Sequence, residues 1–188
     1  MKEHITIIQK SGESVTLTLK SLDLTYLDQI LQLQDEVVQG LPDKNWYVPT
    51  SKNDFIEYLS GKASVIGYVT PSNELVALGA YIYYGLSEHN YGYDLGITGE
   101  KLLTIGQIDS TIVKNSFRGH KLQAALCEAL EELSQKDSIT TICATVCPDN
   151  IYSLNTFLKQ GYTIECEKLK YGGFFRYILA KNLILSQN

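Results

Sequence analysis

A short basic loop carries the clearest chemistry in this chain. Residues 115 to 123 place two cations, Arg118 and Lys121, on either side of Gly119, and an amphipathic pattern begins where the loop ends. The start of a helix has backbone N–H groups without partners and carries the positive end of the helix dipole. Two cations there oppose the dipole, and the glycine lets the backbone approach a ligand closely. We therefore predict that the loop binds a phosphate group.

The segments around the loop predict the elements that position it. Residues 105 to 113 form a segment rich in β-branched residues, typical of a mostly buried strand whose side chains alternate between its two faces. Residues 122 to 133 carry apolar side chains at three- and four-residue steps, and residues 139 to 146 form a second β-branched run. Two strands joined by a crossover helix should lie parallel with a right-handed connection. The sequence thus predicts a strand–loop–helix–strand unit.

At this unit the chain resembles the GCN5-related N-acetyltransferase (GNAT) family. The family's pyrophosphate loop reads Gln/Arg-x-x-Gly-x-Gly/Ala after a strand with an apolar end, and here Val113 lies five residues before Arg118. A second family motif is Asn-x-x-Ala/Ser, an aromatic residue, and then Gly-Phe/Tyr. It is similar to the pattern Asn150, Ser153, Phe157, Gly161 and Tyr162. The two motifs occur in the family's order over about the last half of the chain, and their combination is specific.

The resemblance implies that acetyl-CoA is the acyl donor and that the basic loop holds its pyrophosphate. The residues it assigns to the coenzyme are Ile112, Val113, Arg118, Gly119, His120, Lys121, Leu122, Gln123, Asn150 and Ser153. Backbone N–H groups around Ile112 and Val113 would stabilise the oxyanion. Taken alone, Asn150 is better explained as an ordinary helix-start residue and His120 as an exposed loop residue.

Three positions depart from the family pattern. Lys121 stands at the first motif glycine and Gln123 at the final glycine or alanine, so side chains occupy places where the backbone would approach the pyrophosphate. Phe157 replaces a frequent tyrosine thought to protonate the departing thiolate, and a phenyl ring donates no proton. Water or another tyrosine, such as Tyr152 or Tyr171, is left to supply that proton.

Asp109 is the candidate general base. It lies four residues before Val113 and is expected on the same face of the strand, where family members commonly carry a carboxylate near the attacking amine. If its pocket raises its pKa, it can accept a proton directly or through water. A carboxylate in mid-strand is equally a paired structural group, and the two interpretations stand about even.

The remaining sequence predicts one α+β domain over residues 1 to 188. One or two N-terminal strands are followed by two helices, an antiparallel pair at about residues 63 to 84, the crossover unit, and a C-terminal helix with a closing strand pair. This order is similar to the GNAT fold, a mixed, largely antiparallel twisted sheet of about seven strands with about four helices. Its one parallel pair flanks the pyrophosphate loop. The aromatic loops at 46–47 and 91–93 either wall an acceptor pocket or pack on the surface.

Composition narrows the class of partner. With a net charge of -5, the chain lacks the extended basic surface that binding to nucleic acid or to an anionic membrane requires. The four cysteines have no Cys-x-x-Cys spacing and lie far in sequence from the three histidines, so no metal site is expected. Free thiols fit a reducing cytoplasm. No apolar run is long enough to span a membrane.

The sequence therefore predicts a cytoplasmic N-acetyltransferase that moves an acetyl group from acetyl-CoA to a primary amine by direct attack. The acceptor is a small-molecule or peptide amine, and homodimerisation is left open. Lys121, Gln123 and Phe157 motivate one alternative, a non-catalytic acyl-CoA-binding regulatory domain of the same fold. The other alternative is an acyltransferase that uses a longer acyl-CoA.

Overall fold

The computed structural model describes residues 1–9 and 12–183. Lys10 and Ser11, between the first two strands, lie outside the described residues. In chain order the strands and helices are β1 (His4–Ile8), β2 (Ser14–Ser21), α1 (Leu27–Gln39), α2 (Lys52–Glu57), β3 (Ala63–Val69), β4 (Leu75–Ile82), β5 (Ile105–Val113), α3 (Leu122–Ser134), β6 (Thr141–Val146), α4 (Ile151–Lys159), β7 (Thr163–Lys170) and β8 (Phe174–Asn182).

One eight-stranded sheet carries the fold, in the order β1-β2-β3-β4-β5-β6-β8-β7. All neighbouring strands run antiparallel except β5 and β6, which are parallel and joined by α3. The predicted α+β fold and its parallel pair are confirmed. The sheet has eight strands rather than about seven because the N-terminal segment supplies both β1 and β2.

Helices cover both faces of the sheet. The side chains of β4 alternate between the two apolar clusters that these helices form with it. Ala77 and Tyr81 pack in the cluster that contains α3, whereas Leu78 and Ile82 pack in the cluster that contains α1 and α2. The buried α3 side chains recur at helical spacing: Leu122, Ala125, Leu126, Ala129 and Leu130. Truncating a buried leucine to alanine typically costs about 2 to 5 kcal/mol, so these layers form a stable frame for the loops at the ends of the central strands.

The parallel strands separate part of the way along. Their registered pairs run from Ile105 opposite Thr141 to Ile108 opposite Ala144. Beyond that point β5 continues along β4, and β6 continues along β8. We call this opening, which begins at Asp109 on β5 and Thr145 on β6, the fork. Backbone groups on its facing edges need water or a ligand as hydrogen-bond partners.

A β-bulge reorients the side chains at the fork. The register of β5 against β4 shifts at Asp109, which is the extra residue. The hydroxyl of Tyr58, at the end of α2, donates to Asp109, whereas Val113 packs against the α3 cluster on the other face. The expectation that Asp109 shares the face of Val113 is therefore wrong, because the bulge interrupts the alternation between them.

Two further findings concern residues 1–9 and 12–183 only. No helix in these ranges is long and apolar enough to cross a bilayer. The same residues contain no group of three His, Cys, Asp or Glu side chains that could hold a metal ion.

Candidate active site at the fork

The basic loop connects β5 to α3, as predicted. Gly119 and Lys121 both have left-handed backbone conformations, with φ of +88° and +59°. Glycine adopts this conformation freely, whereas a residue with a side chain loses roughly 1 kcal/mol. Lys121 therefore has the backbone conformation that a glycine at its position would favour, and its exposed side chain adds a charge.

Arg118 lies against the end of β5. Its Nε donates to the carbonyl oxygen of Val113 at 3.3 Å. Within residues 1–9 and 12–183, neither Arg118 nor Lys121 forms an ion pair. Two cations without an anionic partner, beside the first N–H groups of α3, make this loop suitable for binding an anion.

Gln123 crosses the space between β5 and α4. Its Nε2 donates to Thr111 Oγ1 of β5 at 3.0 Å and to Ser153 Oγ in the first turn of α4 at 2.9 Å. An amide nitrogen has two hydrogens, so both bonds form together. The side chain thus lies between the two groups of residues that were assigned to the coenzyme, at Ile112–Val113 and at Asn150–Ser153.

Gln123→Ala should bind coenzyme A about three- to tenfold more tightly than the wild type. A coenzyme that enters the space between Thr111 and Ser153 must displace the Gln123 amide, and a neutral hydrogen bond contributes about 1 kcal/mol net. Isothermal titration calorimetry measures the dissociation constant, with Gln135→Ala, at the far end of α3, as a control. Weaker binding by Gln123→Ala alone would show instead that Gln123 contacts the coenzyme.

The other predicted coenzyme residues differ in what they can offer. Asn150 Oδ1 accepts the N–H of Ser153 at 3.2 Å and caps α4, the role that Asn150 alone suggested. Its Nδ2 forms no hydrogen bond with the described residues and keeps a donor for a ligand. The Leu122 side chain is buried in the core, so Leu122 can contribute only its backbone N–H. His120 lies partly exposed in the loop.

Asp109 lies where the fork begins. Burial raises its pKa to about 6, the hydrogen bond from Tyr58 at 3.3 Å acts in the opposite direction, and the charge of Asp54 adds to the rise. Among the described residues, no cation lies within ion-pairing distance of Asp109. A structural carboxylate in an ion pair would have a lowered pKa, whereas a pKa near neutrality suits a general base. These surroundings favour the base interpretation.

Tyr171 reaches the fork from the turn between β7 and β8. Its hydroxyl lies 2.8 Å from Thr145 Oγ1 and 2.5 Å from the Tyr91 hydroxyl. Tyr171 has a φ of +54° and begins a run of left-handed residues with Gly172 and Gly173. A bulky residue in this conformation costs of order 1 to 3 kcal/mol, and such strain is concentrated at functional sites.

Sequence reasoning missed most of these hydroxyls. No sequence motif marks Tyr58, and the sequence predicts Tyr171 only as a possible proton source. Among the aromatic loops, Tyr91 is buried and meets Tyr171, whereas Tyr93 is exposed and donates to the carbonyl of Leu86. The only local signal for Tyr171 was a tyrosine directly before two glycines.

The remaining aromatic candidates lie elsewhere. Phe157 is buried and packs edge-on against Tyr162, with ring centroids 5.0 Å apart. Tyr152 is 73% exposed, and its ring centroid lies 6.4 Å from that of Trp46. Of the tyrosines proposed to replace the missing hydroxyl, the one at the fork is Tyr171.

Comparison with known proteins gives a clear result for structure and none for sequence. No protein-family model matches the chain. No curated protein sequence matches it either.

Solved acetyltransferase structures match along nearly the whole chain. A putative acetyltransferase from Salmonella typhimurium has a TM-score of 0.66 and 10% identity, over 92% of this chain and 95% of that one. The ribosomal-protein-S18-alanine N-acetyltransferase from Escherichia coli has a TM-score of 0.66 and 15% identity, over 92% and 96%. An acetyltransferase of the GNAT family from Streptococcus pneumoniae has a TM-score of 0.65 and 13% identity, over 89% and 99%. The chain therefore has the fold of the GCN5-related N-acetyltransferase family.

Proposed function

We propose that this protein transfers an acetyl group from acetyl-CoA to a primary amine by direct attack of the amine on the thioester. The observation that carries the proposal is the fork, where a carboxylate of raised pKa lies at the start of the opening and a basic loop with unpaired cations follows the end of β5. The similar Salmonella structure was solved with its cofactor acetyl-CoA, which supports the same donor here.

The loop and the fork divide the binding of the donor between them. Arg118, Lys121 and the first N–H groups of α3 would hold the pyrophosphate. The open edge of β5 offers backbone N–H and C=O groups to the amides of the pantetheine arm, and the free amide hydrogens of Asn150 face the arm from α4. Backbone N–H groups near Ile112 and Val113 would stabilise the oxyanion.

Asp109 and Tyr171 would handle the two protons. The ionised carboxylate of Asp109 takes a proton from the amine, directly or through one water, while the nitrogen forms a bond to the thioester carbon. The carbon–sulfur bond then breaks, and the departing thiolate takes the phenolic proton of Tyr171. Solvent returns that proton to Tyr171 and removes the one held by Asp109.

Tyr171 is preferred as the acid because of where its hydroxyl lies. Phe157 has no hydroxyl, and the ring of Tyr152 is largely in solvent. The Tyr171 hydroxyl bonds to Thr145 at the start of the fork, beside the bulge that carries Asp109. An ordinary tyrosine keeps its phenolic proton at neutral pH, and desolvation of the Tyr171 hydroxyl raises its pKa further.

Coenzyme A should stabilise the folded protein if the loop binds its pyrophosphate. At a concentration one hundredfold above the dissociation constant the gain is about 2.7 kcal/mol, which raises Tm by roughly 5 to 11 °C for a chain of this size. Differential scanning fluorimetry measures the shift. Arg118→Ala should reduce it strongly because it removes one of the two loop cations, whereas Lys101→Ala, an exposed cation outside the loop, should leave it unchanged. No shift at millimolar coenzyme A would refute the proposed site.

The two alternatives are separated by release of the free thiol. A non-catalytic binding domain would show the thermal shift but release no coenzyme A from acetyl-CoA in the presence of any amine. An enzyme for longer chains would release thiol faster from succinyl or longer thioesters than from acetyl-CoA. Faster release from acetyl-CoA supports the proposed function.

A further inference from the structure

Arg176 is a buried cation that no carboxylate neutralises within residues 1–9 and 12–183. Arg176 is only 3% exposed. Nη1 donates to the carbonyl oxygen of Phe175 at 2.8 Å and Nη2 to that of Asn45 at 2.7 Å. A guanidinium has five N–H groups, so these two bonds leave three for other acceptors. Burying a charge without an ionic partner is unfavourable, which suggests that a ligand supplies the partner.

Arg176 lines an open cavity of about 350 Å³. The wall combines Asn45 from the loop after α1, Cys147 from the segment after β6, and Phe174 and Phe175 from β8. Three elements thus meet at a space large enough for a small organic molecule.

Arg176 links the cavity to the fork through Tyr171. Tyr177, next to Arg176, pairs with Val146, so Arg176 lies just beyond the end of β6. The Arg176 guanidinium carbon lies 5.7 Å from the ring centroid of Tyr171, whose hydroxyl bonds to Thr145 at the fork. A molecule bound beside Arg176 would therefore lie close to the reacting groups.

The charges around the cavity differ in how strongly solvent screens them. Asp43, Asp149 and Glu167 also line it, but all three are exposed. A charge pair in water is about four times weaker than one at the effective dielectric constant of about 20 near a protein surface, and salt screens it further. The buried guanidinium therefore dominates at the wall, while the exposed carboxylates attract a ligand that also carries a positive charge.

We propose that this cavity binds the acceptor through an anionic group, and that the acceptor is an amine that also carries a carboxylate, as an amino acid does. The assignment rests on the proposed function because it names the acceptor of the same reaction. A carboxylate accepts two parallel N–H bonds from one guanidinium. A phosphate fits less well, because its second negative charge would be repelled by the three carboxylates.

A purely structural role for Arg176 predicts a different outcome. The guanidinium also links the loop after α1 to β8 and lies 5.5 Å from the ring centroid of Phe174. If that were its whole role, the preference for an amine with a carboxylate over the same amine without one would be the same in the wild type and in Arg176→Gln. The choice of acceptor therefore separates the two roles.

The first experiment uses the wild-type protein and matched amines. Each pair consists of an amino acid and the amine that lacks its carboxylate: glycine and methylamine, alanine and ethylamine, lysine and cadaverine. With acetyl-CoA as donor, we expect kcat/KM to be roughly tenfold to a hundredfold higher for the amino acid in at least one pair, mainly through a lower KM.

The second experiment asks whether Arg176 causes that preference. Arg176→Gln should raise KM at least tenfold for the preferred amino acid and leave KM for its decarboxylated partner within about twofold. Arg176→Lys should lie between the wild type and Arg176→Gln, because it keeps the charge and loses the paired N–H geometry. The thermal shift with coenzyme A checks that each variant is folded.

The outcomes separate this assignment from the proposed function. Turnover with equal kcat/KM within every pair overturns the carboxylate assignment alone, and it needs no variant. An equal rise in KM for both members of a pair in Arg176→Gln does the same. If no amine supports release of coenzyme A, the proposed function fails, and the acceptor assignment fails with it.

Discussion

Replacing Asp109 with asparagine should lower kcat/KM by about 10² to 10⁴-fold and remove the acidic limb of its pH profile. The wild-type carboxyl has a pKa of about 6, so it is protonated and unable to accept a proton at lower pH. The wild-type kcat/KM should therefore show a step near pH 6, added to the rise that deprotonation of the free amine gives in both proteins. Steady-state rates from about pH 5 to pH 8 measure this limb in the free enzyme. An unchanged limb in Asp109→Asn would assign the titration to another group.

The same substitution should stabilise the folded protein at pH 7. Because the pKa of Asp109 is higher in the folded than in the unfolded chain, the folded state binds more protons between about pH 4 and pH 6. The stabilising contribution of protonated Asp109 is full below the unfolded pKa and is lost as the pH rises through the folded pKa. A shift of about two units corresponds to roughly 3 kcal/mol, which asparagine would recover at pH 7.

Chemical denaturation at two pH values tests this effect. The free energy of unfolding of Asp109→Asn should exceed that of the wild type by about 2 to 3 kcal/mol at pH 7 and match it near pH 4. Asp35→Asn, an exposed position on α1, should show no such difference. A less stable Asp109→Asn at pH 7 would mean that the carboxylate is a structural partner rather than a base.

Tyr171→Phe should lower kcat by roughly tenfold to a hundredfold at pH 7 and by much less at high pH. An alkyl thiol titrates near pH ~8.5, so its thiolate leaves with less help from an acid above that pH. General acids typically contribute about 10² to 10⁴-fold to a rate. We expect a loss at or below the lower limit of that range, because the thiolate is a good leaving group. The test is kcat for both proteins from about pH 6.5 to pH 9.5, a range that roughly brackets the thiol pKa.

Two matched tyrosine variants complete the test. Tyr152→Phe removes a hydroxyl from a largely exposed ring and should leave kcat within twofold. Phe157→Tyr should raise kcat less than tenfold, because the acid is already supplied by Tyr171. If Tyr171→Phe is as active as Tyr152→Phe at pH 7, water protonates the thiolate. A gain of a hundredfold or more in Phe157→Tyr would favour the non-catalytic alternative for the natural chain.

The sequence predicted the loop well because its signals are local. A strand end at Val113, a cation at Arg118 and a helix start at Leu122 lie within ten residues of one another, and backbone chemistry at a helix start depends on little else. The crossover unit follows from hydrophobic periodicity in the same way. The family resemblance singled out Asp109 as a candidate base, but its face was predicted wrongly because a single inserted bulge residue changes the alternation without any sign in composition.

The rest of the site could not be predicted from the sequence because it is assembled from distant parts of the chain. Tyr58, Tyr91 and Tyr171 come from the end of α2, a loop before β5 and the turn after β7. Only the folded sheet brings their hydroxyls to the fork. Arg176 lies within a strand whose pattern does not reveal whether a long cationic side chain reaches solvent or a cavity.

The fork also divides the sheet into two antiparallel ladders, β1 to β5 and β6 to β8, whose strands are joined by the four residue pairs of β5 with β6, while α3 packs against both ladders. Such a junction is narrow compared with the ladders themselves, and partial opening of a protein follows boundaries of this kind. The ladder β6 to β8 can then open as a unit before the whole chain unfolds. A coenzyme that forms hydrogen bonds with both β5 and β6 would hold the two ladders together. Unfolding of the occupied protein would then be a single cooperative event.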